Sequence, residues 1–163
     1  MPTILMIPAS VILAAVAAAS VPGEVREIDE ALVACGTRHA LSSWEDPKRG
    51  IGCARDAIVR EFKKTATGDS AAHVVVDRFE ATSPRTHDRP ATLENVYLVL
   101  EGSDPVVKRT VFVVSGHYDS MCSDVMDSAC DAPGADDDAS GTTAAIEASR
   151  LIAGKKHRAT IVL

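Results

Sequence analysis

The sequence lacks any cluster of basic residues, and this absence excludes one broad class of partner. Its 163 residues contain 17 Lys and Arg against 23 Asp and Glu, which gives a formal net charge of −6. Because a protein that binds nucleic acid neutralises backbone phosphates with grouped Lys and Arg side chains, we predict no nucleic-acid partner. The 46% of apolar and 25% of charged residues are typical of a single globular domain.

Long runs without a charged residue are absent from the sequence, apart from one at the N-terminus. Residues 4–19 carry no charged side chain, and the run ends in the small residues Ala17, Ala18, Ala19 and Ser20, although no Lys or Arg precedes it. This pattern predicts that residues 1–20 are a signal peptide cleaved near Ala19, with an uncleaved N-terminal anchor as the alternative. We therefore expect a secreted or periplasmic protein that contacts a membrane only if the leader is retained.

No C-x-x-C pair occurs, which argues against a structural zinc site built from cysteines. The four cysteines, Cys35, Cys53, Cys122 and Cys130, form an even set in a chain predicted to be exported. An oxidising compartment favours disulfides, and proximity in the sequence favours Cys35 with Cys53 and Cys122 with Cys130. Free buried thiols remain the alternative.

Two further motifs are absent. Neither Ser115 nor Ser140 lies in the G-x-S-x-G context of a serine hydrolase, and no D-x-D-x-D-G register supports a calcium loop. Calcium binding by the acidic segment stays open as an alternative. A Cys122 nucleophile paired with His117 is less favoured than a disulfide, because Cys130 lies nearby.

Periodicity and turn residues predict an α/β fold. Helical spacing of apolar residues indicates helices over 24–34, 51–64 and 140–153, and Gly36 and Gly154 are expected to end the first and the last. Short β-branched runs predict strands over 73–81, 95–101, 110–115 and 159–163. The continuously apolar run of residues 111–114 indicates an interior strand that is covered on both faces. The order strand, loop, helix, strand that follows is the repeating unit of an α/β sheet.

Two polar motifs flank the loop between that strand and the last helix. Gly116-His117-Tyr118-Asp119-Ser120 follows the strand at the sheet edge where α/β proteins bind ligands. In an extended chain His117 and Asp119 point to one side, so Asp119 can accept one ring N–H of His117 and leave the other nitrogen free for a metal.

The second motif, residues 132–141, carries the adjacent acids Asp136, Asp137 and Asp138 at the entrance to the helix. Three neighbouring carboxylates repel one another unless a cation or a helix N-terminus offsets their charge. One carboxylate can bridge two divalent ions, so a His and an Asp would form half of a two-metal site. The other acids of the loop, Asp124, Asp127 and Asp131, fit a solvated surface, and Asp138 could be structural.

Together the two motifs resemble the paired signature of co-catalytic zinc aminopeptidases, peptidase family M28. The resemblance is strong over 116–163 and weaker over the helical 35–61. It implies a zinc-exopeptidase-like, three-layer α/β sandwich around a mixed β-sheet with helices on both faces. Residues 21–163 would be the N-terminal part of that domain.

The resemblance also implies the site residues. His117 would bind one Zn²⁺, Asp137 would bridge two Zn²⁺ ions, and Asp119 would orient His117, while the bond between Asp137 and Asp138 would be cis. The family's Glu-Glu pair and its further Asp and His ligands cannot be assigned in this sequence, so we predict a truncated site that is inactive by itself.

In the complete protein, a hydroxide held by both ions would attack peptide bonds at free N-termini. Relatives with this fold include a carboxypeptidase, a glutaminyl cyclase and non-catalytic receptor ectodomains, so a binding role remains the alternative. Residue preference and oligomeric state are left open by the sequence.

Overall fold

The computed structural model describes residues 4–6 and 22–163. Its helices are α1 (Pro22–Val33), α2 (Ile51–Ala66) and α3 (Ser140–Ile152). Its strands are β1 (Ile4–Met6), β2 (Ala72–Ala81), β3 (Ala91–Leu100), β4 (Val111–Val113) and β5 (Thr160–Val162). Short 3₁₀ turns lie at Pro84–Thr86 and Val107–Arg109, and one wide helical turn, Ala135–Ala139, leads into α3.

The strands form one mixed sheet in the order β1-β4-β5-β3-β2. β4 pairs in parallel with both β1 and β5, whereas β3 pairs in an antiparallel sense with β5 and β2. The predicted strand–loop–helix–strand unit is therefore present as β4, α3 and β5. Because β4 lies inside the sheet, its carboxyl end opens at an edge flanked by neighbouring strands, where α/β folds bind ligands.

The observed strand boundaries differ from the sequence prediction most clearly at β3 and β4. β3 begins at Ala91 rather than at 95, because Ala91–Leu100 pairs along its whole length with Ala72–Ala81 in a long hairpin. The run 110–115 is strand only over Val111–Val113, since it pairs with just three residues of β1 and of β5.

The helices pack against one another and bury the hydrophobic core against the sheet. Leu32 of α1, Ile146 of α3 and Leu98 of β3 are fully buried, and Phe62 of α2 is 2% exposed. The α/β class with a mixed sheet and flanking helices is confirmed. α1, α2 and α3 contact one another as one helical layer.

Both disulfides join the cysteines that are closest in sequence. Cys35, directly after α1, bonds to Cys53 in the first turn of α2, with 5.8 Å between their Cα atoms. Cys122 and Cys130 close a small loop between β4 and α3, with a Cα separation of 6.4 Å. Since all four cysteines are paired, Cys122 is not available as a nucleophile.

The predicted leader is only partly within the described residues. Ile4–Met6 forms the strand beside β4, whereas Ala17 to Ser20, the predicted cleavage region, lies outside them. Among the helices of the described chain, none has the length and apolar character needed to cross a bilayer.

Candidate metal centre

His117 lies just beyond the carboxyl end of β4, and its ring is held by Asp119 as the sequence predicted. Nδ1 of His117 is 3.2 Å from the backbone oxygen of Asp119 and 3.3 Å from its Oδ1. Both partners are acceptors, so Nδ1 carries the proton of the neutral ring. The lone pair of Nε2 is then free to act as a metal ligand.

Asp137 lies opposite that free nitrogen. Its Oδ1 is 3.1 Å from Nε2 of His117, and the two side chains are 90% and 56% exposed, respectively. The wide turn Ala135–Ala139 presents this carboxylate, and the peptide bond between Asp137 and Asp138 is cis, as the resemblance implied. The two motifs therefore meet at one sheet edge, although twenty residues separate them in the sequence.

Asp138 has a supporting role that the sequence left open. Its Oδ2 accepts the backbone N–H of His117 at 3.0 Å, and its Oδ1 accepts the N–H of Gly141 in the first turn of α3 at 3.1 Å. A single carboxylate thus ties the backbone of His117 to the start of the helix. Asp136, by contrast, is exposed and takes part in neither of these hydrogen bonds.

The charges of the motif shift the pKa of His117. Partial burial favours the neutral ring, but the hydrogen bond to the Asp119 backbone and the carboxylates of Asp119, Asp138 and Asp137 outweigh it, so the pKa of His117 is raised. A cation held between His117 Nε2 and the Asp137 carboxylate would offset the same negative charge. When the ring is neutral, a lone pair of His117 Nε2 faces a lone pair of Asp137 Oδ1, and this arrangement suits a bound cation.

The donor set fits Zn²⁺. Imidazole nitrogen and carboxylate oxygen both bind zinc at about 2.0–2.2 Å, and a nitrogen–oxygen separation of 3.1 Å allows both to reach one ion. A catalytic zinc usually takes about three protein ligands. Residues 4–6 and 22–163 contain no group of three or more His, Cys, Asp or Glu that could together hold a metal ion.

Arg38 is a central residue of the site that sequence reasoning missed. Its fully buried guanidinium donates to the carbonyls of Tyr118 at 2.8 Å, Pro133 at 2.5 Å and Gly134 at 2.9 Å. One side chain therefore connects the backbone of the His117 motif with the backbone that precedes the acidic turn. A single Arg in a Gly-Thr-Arg-His segment has no sequence signal that would distinguish it from a surface arginine.

Acidic side chains offset the buried charge of Arg38. Burial lowers the pKa of Arg38, while Asp29, Asp119 and Asp138 counteract that effect. Asp29 is itself partly buried, which raises its pKa, and its Oδ1 has no hydrogen-bond partner among the described residues. The buried guanidinium of Arg38 therefore interacts electrostatically with carboxylates of both motifs, Asp119 and Asp138.

Ser120 completes the connection between the two loops. Its Oγ accepts the N–H of Arg38 at 3.1 Å and donates to the carbonyl of Ala132 at 2.6 Å. The Ala132 N–H in turn donates to the carbonyl of Gly36 at 2.9 Å. The segment after α1 is therefore hydrogen-bonded to both motifs of the candidate site.

The remaining acids and histidines of the region act locally. Asp124 and Asp127 accept backbone N–H groups within their own turns, and Asp131 pairs with Arg49 at 2.8 Å. The ring of His39 is buried and bonds to the Val125 carbonyl at 3.1 Å. None of these contacts involves His117.

Comparison with known proteins identifies relatives of the chain. Residues 95–163 match the sequence model described as Peptidase family M28. A probable zinc metalloprotease of Pyricularia oryzae is 44% identical over 143 residues, which cover 86% of this chain and 28% of that protein. Another, of Leptosphaeria maculans, is 43% identical over 134 residues, or 81% of this chain and 30% of that protein. The chain thus spans less than a third of these curated relatives.

Solved structures share the fold at low sequence identity. A glutaminyl cyclase of Bacteroides thetaiotaomicron bound to N-acetylhistamine has a TM-score of 0.62 and 15% identity over 86% of this chain and 44% of that one. A leucine aminopeptidase precursor of the same species has a TM-score of 0.60 and 15% identity over 86% of this chain and 45% of that one. These likenesses establish the zinc-exopeptidase-like fold.

Proposed function

The chain belongs to peptidase family M28, and we propose that the protein is a zinc-dependent exopeptidase of the aminopeptidase type. The observation that carries the proposal is the approach of His117 Nε2 to Asp137 Oδ1 at 3.1 Å, at the carboxyl end of β4. Fungal relatives named as probable zinc metalloproteases support the metal and the reaction class. The substrates proposed are peptides with a free N-terminus.

His117 and Asp137 would hold the metal, and Asp137 would bridge two Zn²⁺ ions. Bound zinc supplies a Lewis acid that activates water and polarises the scissile carbonyl. The chain's own contribution is orientation. Asp119 keeps the proton of His117 on Nδ1, Asp138 fixes the His117 backbone, and the general base and further ligands come from outside the described residues.

The test is a pair of substitutions in the full-length protein. His117→Ala and Asp137→Ala are each expected to lower bound zinc and to reduce kcat for an aminoacyl-anilide by at least about a thousandfold, because each removes a ligand on which charge stabilisation depends. Zinc is measured by mass spectrometry of the native protein. Asp136→Ala is the matched control, since this exposed neighbour does not face His117 and should leave both values within about twofold.

The assay includes an N-terminal glutaminyl peptide, because glutaminyl cyclases share the fold. Cyclisation of that peptide without hydrolysis of the anilide would replace the peptidase assignment with a cyclase one. Zinc content and rates that are the same in His117→Ala, Asp137→Ala and the wild type would disprove the site.

We also propose that the protein is exported. Support comes from the charge-free run of residues 4–19 and from the disulfides Cys35–Cys53 and Cys122–Cys130, which persist in oxidising compartments. N-terminal sequencing of protein collected from the medium or periplasm is expected to begin after Ala19, a cleavage that would remove β1 and leave β4 paired with β5 alone. Recovery only from the cytosol, with reduced thiols, would contradict export.

A further inference from the structure

The backbone that leads into His117 is in direct contact with the first turn of α3. A Cβ at Gly116 would lie 2.6 Å from the nitrogen of Thr142 and 2.7 Å from the carbonyl carbon of Gly141. Because non-bonded carbon atoms pack best at about 3.5–4.0 Å, only a residue without a side chain fits at position 116. The segment after β4 and the start of α3 therefore pack backbone against backbone.

Both backbone groups of His117 are hydrogen-bonded to this junction. The His117 N–H donates to Asp138 Oδ2 at 3.0 Å, and the His117 carbonyl accepts the hydroxyl of Thr142 at 3.0 Å. Thr142 is 7% exposed, so its hydrogen bond is largely shielded from water. Asp137, the other candidate ligand, directly precedes Asp138 in the chain. The positions of both candidate ligands are therefore tied to the short segment 137–142.

The neighbouring Thr143 has the same side chain in a different environment. It is 1% exposed, and its Oγ1 has no hydrogen-bond partner among the described residues. Consecutive residues of an α-helix point about 100° apart, so the hydroxyls of Thr142 and Thr143 cannot both face His117. The two buried threonines thus differ in their hydrogen bonding to the backbone of a candidate metal ligand.

We propose that Thr142 is a positioning residue of the candidate metal centre, whose hydroxyl sets the distance between His117 Nε2 and the Asp137 carboxylate. The proposal rests on the proposed zinc-peptidase function, because that distance matters to the reaction only if the two side chains hold a metal. Without the hydroxyl, the peptide group of the His117 carbonyl can rotate and carry the ring away from its 3.1 Å approach to Asp137. Thr142 thus acts through the His117 backbone and is not itself a ligand.

The binding test removes the hydroxyl and keeps the branched shape. In the full-length protein Thr142→Val is expected to raise the Kd for Zn²⁺ by about tenfold or more, since groups that hydrogen-bond to a metal ligand typically contribute about 10–100-fold to affinity. Competition with a chelator measures Kd. Thr142→Ser keeps the hydroxyl and should stay within about threefold of the wild type, the difference reflecting its freer rotamer. Thr143→Val is the matched control and should stay within about twofold, because it removes a hydroxyl without a partner.

Kinetics at saturating zinc and unfolding of the metal-free protein separate positioning from a purely structural role. Thr142→Val is expected to lower kcat for an aminoacyl-anilide at least about tenfold and to change KM less than about twofold, because a misplaced group costs rate more than substrate binding. Urea unfolding of the metal-free variants reports any loss of stability independently of the metal. Thr142→Ala repeats each measurement with a smaller side chain, in case the added methyl of valine prevents folding.

The possible failures are distinguishable. Thr142→Val and Thr142→Ala proteins that are less stable in urea but keep the wild-type Kd and kcat would overturn the proposal, since the hydroxyl would then serve the fold alone. An equal loss of zinc affinity in Thr142→Ser would also overturn it, because serine retains the hydroxyl. A Kd that depends on the Thr142 hydroxyl in a protein that hydrolyses no anilide would disprove the peptidase function and leave Thr142 as a positioning residue of a zinc site.

Discussion

At the scale of single residues, the candidate site depends on Arg38, whose hydrogen bonds go to backbone carbonyls and not to the side chains of His117 or Asp137. Arg38 donates to carbonyls from both motifs and is completely buried. Its planar fork can satisfy several acceptors at once, which a lysine ammonium cannot do in the same geometry. If Arg38 is replaced by lysine, the carbonyls that the shorter set of donors no longer reaches become buried polar groups without a hydrogen-bond partner.

We predict that Arg38→Lys destabilises the protein by about 3 kcal/mol and weakens zinc binding, because leaving buried carbonyls unsatisfied costs roughly 1–3 kcal/mol each. Urea unfolding and competition with a zinc chelator measure the two effects. Arg49→Lys is the control, since Arg49 pairs with Asp131 at a half-exposed position nearby. Equal stability and zinc affinity of both variants would show that Arg38 does not organise the site.

At the scale of secondary structure elements, the junction between the acidic turn and α3 determines where the Asp137 carboxylate lies. Asp138 has non-helical dihedral angles, and its side chain accepts the N–H of Gly141, as an N-cap residue does. Gly141 is required by space: a Cβ there would lie 2.1 Å from Asp138 Oδ1. The helix can begin in this way only if position 141 has no side chain.

Gly141→Ala is therefore expected to displace Asp138 from both His117 and α3, at a cost of about 2 kcal/mol for two hydrogen bonds to a charged acceptor. Unfolding in urea and the zinc content of the purified protein measure the effect. Gly23→Ala is the control, because nothing lies within 4 Å of a Cβ at that position in α1. A Gly141→Ala protein as stable and as zinc-rich as the control would refute the capping role.

At the scale of the whole molecule, a buried ion pair joins the hairpin to the helical layer. Glu94 of β3 binds Arg55 of α2 and Arg78 of β2, and its side chain is 2% exposed. Burial by itself raises the pKa of Glu94, but the hydrogen bonds and charges of the two arginines outweigh it and lower the pKa below its usual 4.5. The Glu94 carboxylate therefore stabilises the fold in its ionised form.

The sign of the pH dependence follows from that lowered pKa. The stabilisation is fully present above about pH 4.5, the pKa expected in the unfolded chain, and is lost as the pH falls through the lower folded value. Glu94→Gln is expected to cost about 3 kcal/mol at pH 7, because it breaks a buried pair, and progressively less below pH 4.5. Urea unfolding at several pH values measures the difference between variant and wild type.

Glu101→Gln is the control for this series, because the Glu101 side chain at the end of β3 is 66% exposed. It should alter the free energy of unfolding by less than about 0.5 kcal/mol at any pH. A Glu94→Gln penalty that stays constant from pH 7 to pH 3 would mean that the ionised carboxylate is not the source of the stabilisation.

The sequence by itself determined the elements and located the two motifs of the candidate site. Hydrophobic periodicity located three helices and the interior strand, since burial of one face repeats along the chain. His117, Asp119 and Asp137 were identifiable because their residue types and their places after a strand and before a helix are local features. Proximity in the sequence likewise indicated the pairs Cys35–Cys53 and Cys122–Cys130.

Only the tertiary structure decided what supports the site and what surrounds it. Arg38, Asp138 and Glu94 act through hydrogen bonds to residues that are distant in the sequence or across the sheet, and no local pattern encodes such partners. A cavity of 240 Å³ beside His117 likewise exists because Trp44 from a loop, Phe79 and Leu93 from the hairpin and Tyr118 from the His117 motif converge. Convergence of this kind depends on chain topology and packing, which follow from the whole set of contacts and not from any segment alone.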